Sequence, residues 1–146
     1  MAGMILSSSR AIRTTPEILF EAVANPKHLV EWWGQKGLTH KIDKFEFKSG
    51  GAWTMTSHAA DGKHFPQESE FLDIAKPNRV VFQHNLPRPK FHLTMTFEKI
   101  SDQTTKLAWV MQFPPSPDNE TFKPLVEVAI AKNLDRLEVY LPKIKL

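Results

Sequence analysis

From Leu38 to Met111 the chain repeats with a period of two, and this alternation constrains the fold more than any other feature. Leu38, His40 and Ile42, then Phe45/Phe47, Trp53/Met55, Phe71, Val80/Phe82, Leu93/Met95/Phe97 and Leu107/Trp109/Met111 each mark one face. Successive side chains of a strand point to opposite sides, so these segments read as half-buried antiparallel strands. Turn-forming sequences separate them: Ser49-Gly50-Gly51, Asp61-Gly62, Lys76-Pro77-Asn78, Leu86-Pro87-Arg88-Pro89 and Ser101-Asp102. Asp61-Gly62 predicts a tight hairpin, and Gly50-Gly51 a turn rather than a phosphate loop.

Both flanks of this region read differently. Residues 4–13 predict a first strand, closed by Thr14-Thr15-Pro16-Glu17. There Thr as N-cap, Pro at the first helical position and Glu in the first turn start a helix. Ile18, Leu19, Ala22 and Val23 follow at helical spacing. Asn25-Pro26 breaks that helix and opens a second, which runs through Trp33 and stops at Gly34. After the stiff Phe113-Pro114-Pro115-Ser116-Pro117 segment, Phe122, Leu125, Val126, Ala129, Ile130, Leu134, Leu137 and Leu141 recur on one face. They predict an amphipathic helix of about 18 residues, with Pro124 in its first turn and Pro142 at its end.

The expected fold class is therefore α+β: a curved antiparallel sheet of about seven strands, two short helices after strand one, and a long C-terminal helix. A single domain is expected over residues 1–146. Because the sheet is wider than the helix lying across it, an apolar cavity is expected between them.

Composition removes several function classes. With no cysteine there is no disulfide, no thiolate catalysis and no Cys-based zinc site. A net charge of +3 is mild, and Lys36, Lys41, Lys44 and Lys48 are spaced over strand faces and a loop, so no nucleic acid is expected as partner. No signal peptide or membrane-length apolar run is visible, which predicts a cytoplasmic protein without a membrane partner. Nucleophile-elbow, zinc-helix, phosphate-loop and dinucleotide motifs are all absent, and no cofactor is expected. His58 and His64 flank the Asp61-Gly62 hairpin, but an exposed hairpin tip is the preferred reading and no metal is expected.

The adjacent Trp32 and Trp33 are the densest local signal. Each ring buries roughly 200 Å² while its N–H seeks a partner, so the pair marks a core junction or a cavity wall. Trp32 is expected to pack as structure and Trp33 to face the cavity.

Several segments together resemble the SRPBCC, or START-like helix-grip (birch-pollen-allergen-like), superfamily. Within it they are similar to the family homologous to the C-terminal domain of the activator of the heat-shock chaperone ATPase. They are Pro16–Ala22, Asn25-Pro26 through Trp32-Trp33-Gly34, Gly50-Gly51-Ala52-Trp53, Asp61-Gly62, Pro77–Val80, Thr94–Glu98 and Leu134–Leu137. The resemblance implies a strand–helix–helix–six-strand–helix fold around an apolar cavity, and no particular chemistry. Two positions depart from the family pattern. Gln35 stands where a Pro is common, and Ala129-Ile130 where a Gly-Trp pair often precedes the last helix motif. An isoleucine in place of an indole leaves more room beneath the helix, unless Trp109 or Phe122 fills it.

Candidate ligand-binding residues follow from this picture. Trp33, Trp53, Met55, Trp109, Met111 and Ile130 form an apolar and adaptable wall. His84 and His92 flank the Leu86–Lys90 loop at two strand ends, where a histidine suits acid–base work near neutrality. Glu68 and Glu70 share a strand face, and a buried carboxylate pair divides into acid and base when its pKa values separate. The preferred function is binding of a small hydrophobic, aromatic or lipid-like molecule. A cyclase- or hydrolase-like enzyme using those His and Glu residues is the alternative, and a chaperone-activator-like module follows from the family name. A second copy of the chain is admitted as a partner.

Overall fold

The computed structural model describes residues 3–34, 37–87 and 89–146; Met1, Ala2, Gln35, Lys36 and Arg88 lie outside the described residues. Its elements are β1 (Met4–Ile12), α1 (Pro16–Ala24), α2 (Pro26–Trp32), β2 (Thr39–Phe45), β3 (Ala52–His58), β4 (His64–Ala75), β5 (Arg79–Leu86), β6 (Phe91–Ser101), β7 (Thr104–Phe113) and α3 (Asn119–Tyr140). All seven strands form one antiparallel sheet in the order β1-β7-β6-β5-β4-β3-β2. The fold is a helix grip: a curved sheet, two short helices and one long helix across it.

Local chemistry explains where the short helices begin. The Thr15 side chain accepts the Ile18 N–H at 3.2 Å, with Pro16 in the first turn. The Asn25 side chain accepts the Lys27 N–H at 3.0 Å, and Pro26 follows it in the same way. At the hairpin tip the Asp61 carboxylate accepts the Lys63 N–H at 3.0 Å, which closes the turn locally. The Gly50-Gly51 turn is tied into the sheet by bonds between Gly50 N–H and the Phe71 carbonyl and between Phe71 N–H and the Gly51 carbonyl.

The inner faces of the strands fill the core with Met55, Phe71, Phe82, Leu93, Met95, Phe97 and Leu107, all essentially inaccessible. α3 closes this core with only part of its length. Ile130, Leu134 and Leu137 are buried, whereas Leu125 is 64% exposed and Val128 53% exposed. Leu125 falls outside the expected apolar face because, at 100° per residue, it points to the side opposite Leu134. The C-terminal half is pinned by side chains. Arg10 of β1 binds Asp135 at 2.7 Å and Glu138 at 3.2 Å, and His28 of α2 bonds the Tyr140 hydroxyl at 2.7 Å.

α3 also begins earlier than its periodicity predicts. It spans 22 residues from Asn119, so Pro124 lies inside the helix rather than in its first turn. Its missing N–H then removes one internal hydrogen bond, on a segment that is exposed to solvent. No helix among the described residues is long and apolar enough to cross a membrane.

Candidate functional site

Beneath α3, from Val126 to Asn133, lies a cavity of about 520 Å³. Its roof is Val126, Ala129, Ile130 and Asn133 of α3, and its floor crosses the inner face of the sheet from His40 on β2 to Phe113 on β7. Trp33 forms a side wall, and exposed Phe65 and Pro87 stand at the rim.

The two tryptophans part company because the helix ends between them. Trp32 is the last residue of α2, shares its buried face with Leu29, and donates its indole N–H to the Ala22 carbonyl at 3.0 Å. Trp33 has already left the helix, with φ −78° and ψ 144°, so its ring swings towards the sheet. There it meets Trp53 (centroids 5.4 Å), Phe82 (5.7 Å) and, stacked, Trp109 (5.6 Å). Gly34 continues with φ +93°, and a Cβ there would lie 2.5 Å from His40 Nε2.

The lining divides into two ends. Over β6 and β7 it is lined by Phe91, Met111, Phe113 and Trp109, apolar but for the buried Trp109 indole N–H, which has no partner among the described residues. Over β2, β3 and β4 it is polar. Ser57, fully buried, lies 2.7 Å from His40 Nδ1 and accepts the Gln67 amide. With the Gln67 amide donating to Ser57, the Ser57 hydroxyl is left to donate to His40 Nδ1. In that arrangement the His40 proton sits on Nε2. Burial, and then the nearby Arg136 charge, hold the His40 pKa below its ordinary 6.5 and keep the ring neutral.

Arg136 is the charge nearest this end. Its guanidinium donates to the carbonyls of Trp32 (3.2 Å) and Gly34 and to Asn133 Oδ1 (2.6 Å), tying α3 to the end of α2. All three acceptors are neutral, and no carboxylate ion-pairs with Arg136 among the described residues. Burial lowers its pKa from the ordinary value, opposed by Asp135.

His84 occupies the middle of the floor. It stacks on Phe91 at 4.5 Å, and its Nε2 sits 2.8 Å from the Pro87 carbonyl, which can only accept. Nδ1 is thus the unprotonated nitrogen, 3.4 Å from Ser69 Oγ. Burial depresses the His84 pKa, partly offset by the Pro87 bond.

Of the residues singled out from sequence, Trp33, His84, Trp109, Met111 and Ile130 line the cavity. Trp53 and Met55 do not: they are sealed in the core behind it, Trp53 stacked on Phe71. Glu68 and Glu70 are exposed on the outer face, because Phe71 points inward and alternation then turns Ser69 and Gln67 in. His92 also faces outward, since Phe91 and Leu93 take the inner positions of β6; it lies between Gln83 and Gln112, with Nε2 buried and unpartnered among the described residues. His58 and His64 do face each other across the hairpin at 5.5 Å, yet no group of three metal-ligating side chains forms among the described residues. Sequence reasoning missed His40, Ser57, Gln67 and Asn133. The signal for the three strand residues was parity, counted from Ile42, Met55 and Phe71.

Residues 13–142 match the family described as Activator of Hsp90 ATPase homolog 1-like protein. The chain belongs to that family. No curated protein matches the sequence. Solved structures share the family's fold at low identity. An X-ray structure of a Nitrosomonas europaea protein has TM-score 0.82 at 16% identity, covering 97% of this chain and 96% of its own. A solution structure of an Arthrobacter aurescens protein gives 0.84 at 16%, covering 96% and 87%. A Chromobacterium violaceum crystal structure gives 0.77 at 19%, covering 93% and 96%. At these identities the likeness concerns the fold alone. Within the family pattern, Ile130 occupies the cavity roof, and Trp109 lines the space beneath without filling it.

Proposed function

We propose that this protein binds a small hydrophobic, aromatic or lipid-like molecule in the cavity beneath α3. The supporting observation is the cavity itself: about 520 Å³, mostly apolar, with a few polar groups gathered at one end. Ligand sites of roughly 300–1,000 Å³ have this character. The enzyme alternative loses three of its four acid–base groups, since Glu68, Glu70 and His92 stand on the outer face, and only His84 remains inside.

A neutral fluorescent probe, N-phenyl-1-naphthylamine, tests the proposal. Its emission should rise on titration with the protein, and competing apolar metabolites should displace it. A displacing compound at about 100 times its dissociation constant should add roughly 2.7 kcal/mol of stability in urea unfolding. Absence of probe binding together with no stabilisation by any apolar class overturns it.

A further inference from the structure

We propose that the ligand carries a carboxylate, held at the β2–β3 end of the cavity by His40 Nε2–H and the Asn133 amide, with its apolar body lying over β6 and β7. This inference rests on the cavity-binding reading and narrows it to one chemical class.

The argument is one of hydrogen-bond polarity. The Gln67 amide donates to Ser57, and Ser57 donates to His40 Nδ1, so the relay ends in a donor, His40 Nε2–H, on a cavity-lining ring. The only side-chain hydrogen bond of His40 among the described residues is the one at Nδ1, which leaves Nε2 open. Asn133 repeats the pattern. Its Oδ1 is taken by Arg136 at 2.6 Å, which leaves its NH₂ as the group offered to the cavity. Two donors gathered at this one end with no acceptor call for an acceptor on the ligand.

Charge then decides which acceptor. The Arg136 guanidinium lies directly behind Asn133 and Gly34, satisfied only by neutral oxygens. None of the described residues lining the cavity is acidic. A guanidinium that makes no ion pair within 4 Å among the described residues, standing behind this end of the cavity, favours an anionic head over an alcohol or ester. A flat carboxylate can take His40 and Asn133 on its two oxygens. His84 does not compete, because its N–H is spent on the Pro87 carbonyl.

Displacement of bound N-phenyl-1-naphthylamine by dodecanoic acid, dodecan-1-ol and methyl dodecanoate at pH 7.5 tests this. The three share an alkyl chain and differ at the head. The acid should displace at a concentration at least tenfold below the alcohol and the ester. In His40→Leu that ratio should fall towards one, and in Asn133→Ala it should fall part of the way. His40→Gln, which keeps an N–H donor, should retain most of it, and Glu70→Ala on the outer face should leave it unchanged. Equal displacement by all three compounds overturns the carboxylate inference while leaving the cavity reading standing. Failure of the probe and of every dodecyl compound to bind overturns both.

Discussion

Gly34 links the fold to the polar end of the cavity, and replacing it separates two energies that the structure superimposes. Its φ of +93° places it in the left-handed region, where an L-residue costs roughly 1–2 kcal/mol. Gly50 has a similar φ of +82°, but nothing lies within 4 Å of a Cβ built there. Gly50→Ala should therefore cost only the backbone term. In Gly34→Ala the new methyl would meet His40 Nε2 at 2.5 Å and push the ring away from Ser57. That leaves the buried Ser57 hydroxyl without its acceptor, a loss of about 1–3 kcal/mol. The expected totals are about 1–2 kcal/mol for Gly50→Ala and about 2–5 kcal/mol for Gly34→Ala. Urea unfolding at pH 7.5 measures both, read from midpoints at unchanged slope. Repeating Gly34→Ala on a His40→Ala background closes a double-mutant cycle and should recover only the backbone term. Equal losses in the two glycine variants, or no coupling in the cycle, would refute the contact between Gly34 and His40.

Ile130→Trp restores the indole common at this place in the family and should fill the cavity. Probe binding is then lost while the melting temperature holds or rises, and wild-type probe affinity would place the cavity elsewhere. The double variant Glu68→Ala/Glu70→Ala should change stability by less than about 0.5 kcal/mol and leave ligand affinity alone; a tenfold loss of binding would put a carboxylate inside after all. His40 and His84 are both held below their ordinary 6.5, chiefly by burial, so the unfolded chain takes up protons that the folded one refuses. Stability should accordingly be full above about 6.5 and decline as the pH falls from there towards 5, levelling once both folded histidines are charged. Urea midpoints at pH 7.5, 6.0 and 5.0 check the sign, and a midpoint that rises on acidification would contradict it.

The parts of the fold that were legible are those set by short-range chemistry. Thr15 and Asn25 announce helix starts because a side-chain oxygen within three residues satisfies an orphan N–H, and the following prolines suit the first turn. The strands were legible because one buried face imposes strict alternation. The start of α3 was not, since the residue before it, Asp118, makes no side-chain cap and Pro124 suggests a later beginning. The exposure of Leu125 follows from the helical period itself, which sets it about 180° from buried Leu134, so it does not belong with the apolar face.

The site was half legible for a related reason. Glu68 and Glu70 drew attention as a pair, yet Phe71 alone fixes the parity of β4, and one position decides between core and solvent. The inward set, Gln67 and Ser69, consists of neutral residues that carry no signal by composition. What gives them meaning is register. His40 is the direct cross-strand partner of Ser57, and Gln67 lies one pleat from Ser57's own partner on β4, Phe65. That register depends on turn lengths and on the slip between Ile42 and Lys44, neither of which a periodic pattern encodes. The relay that orients His40 therefore arises from three separately unremarkable residues, brought together by pairing. Arg136 joins them only through tertiary contact, 102 positions from Gly34 in the chain. Such a site carries neutral polar groups instead of a catalytic carboxylate, and it therefore leaves no sequence motif.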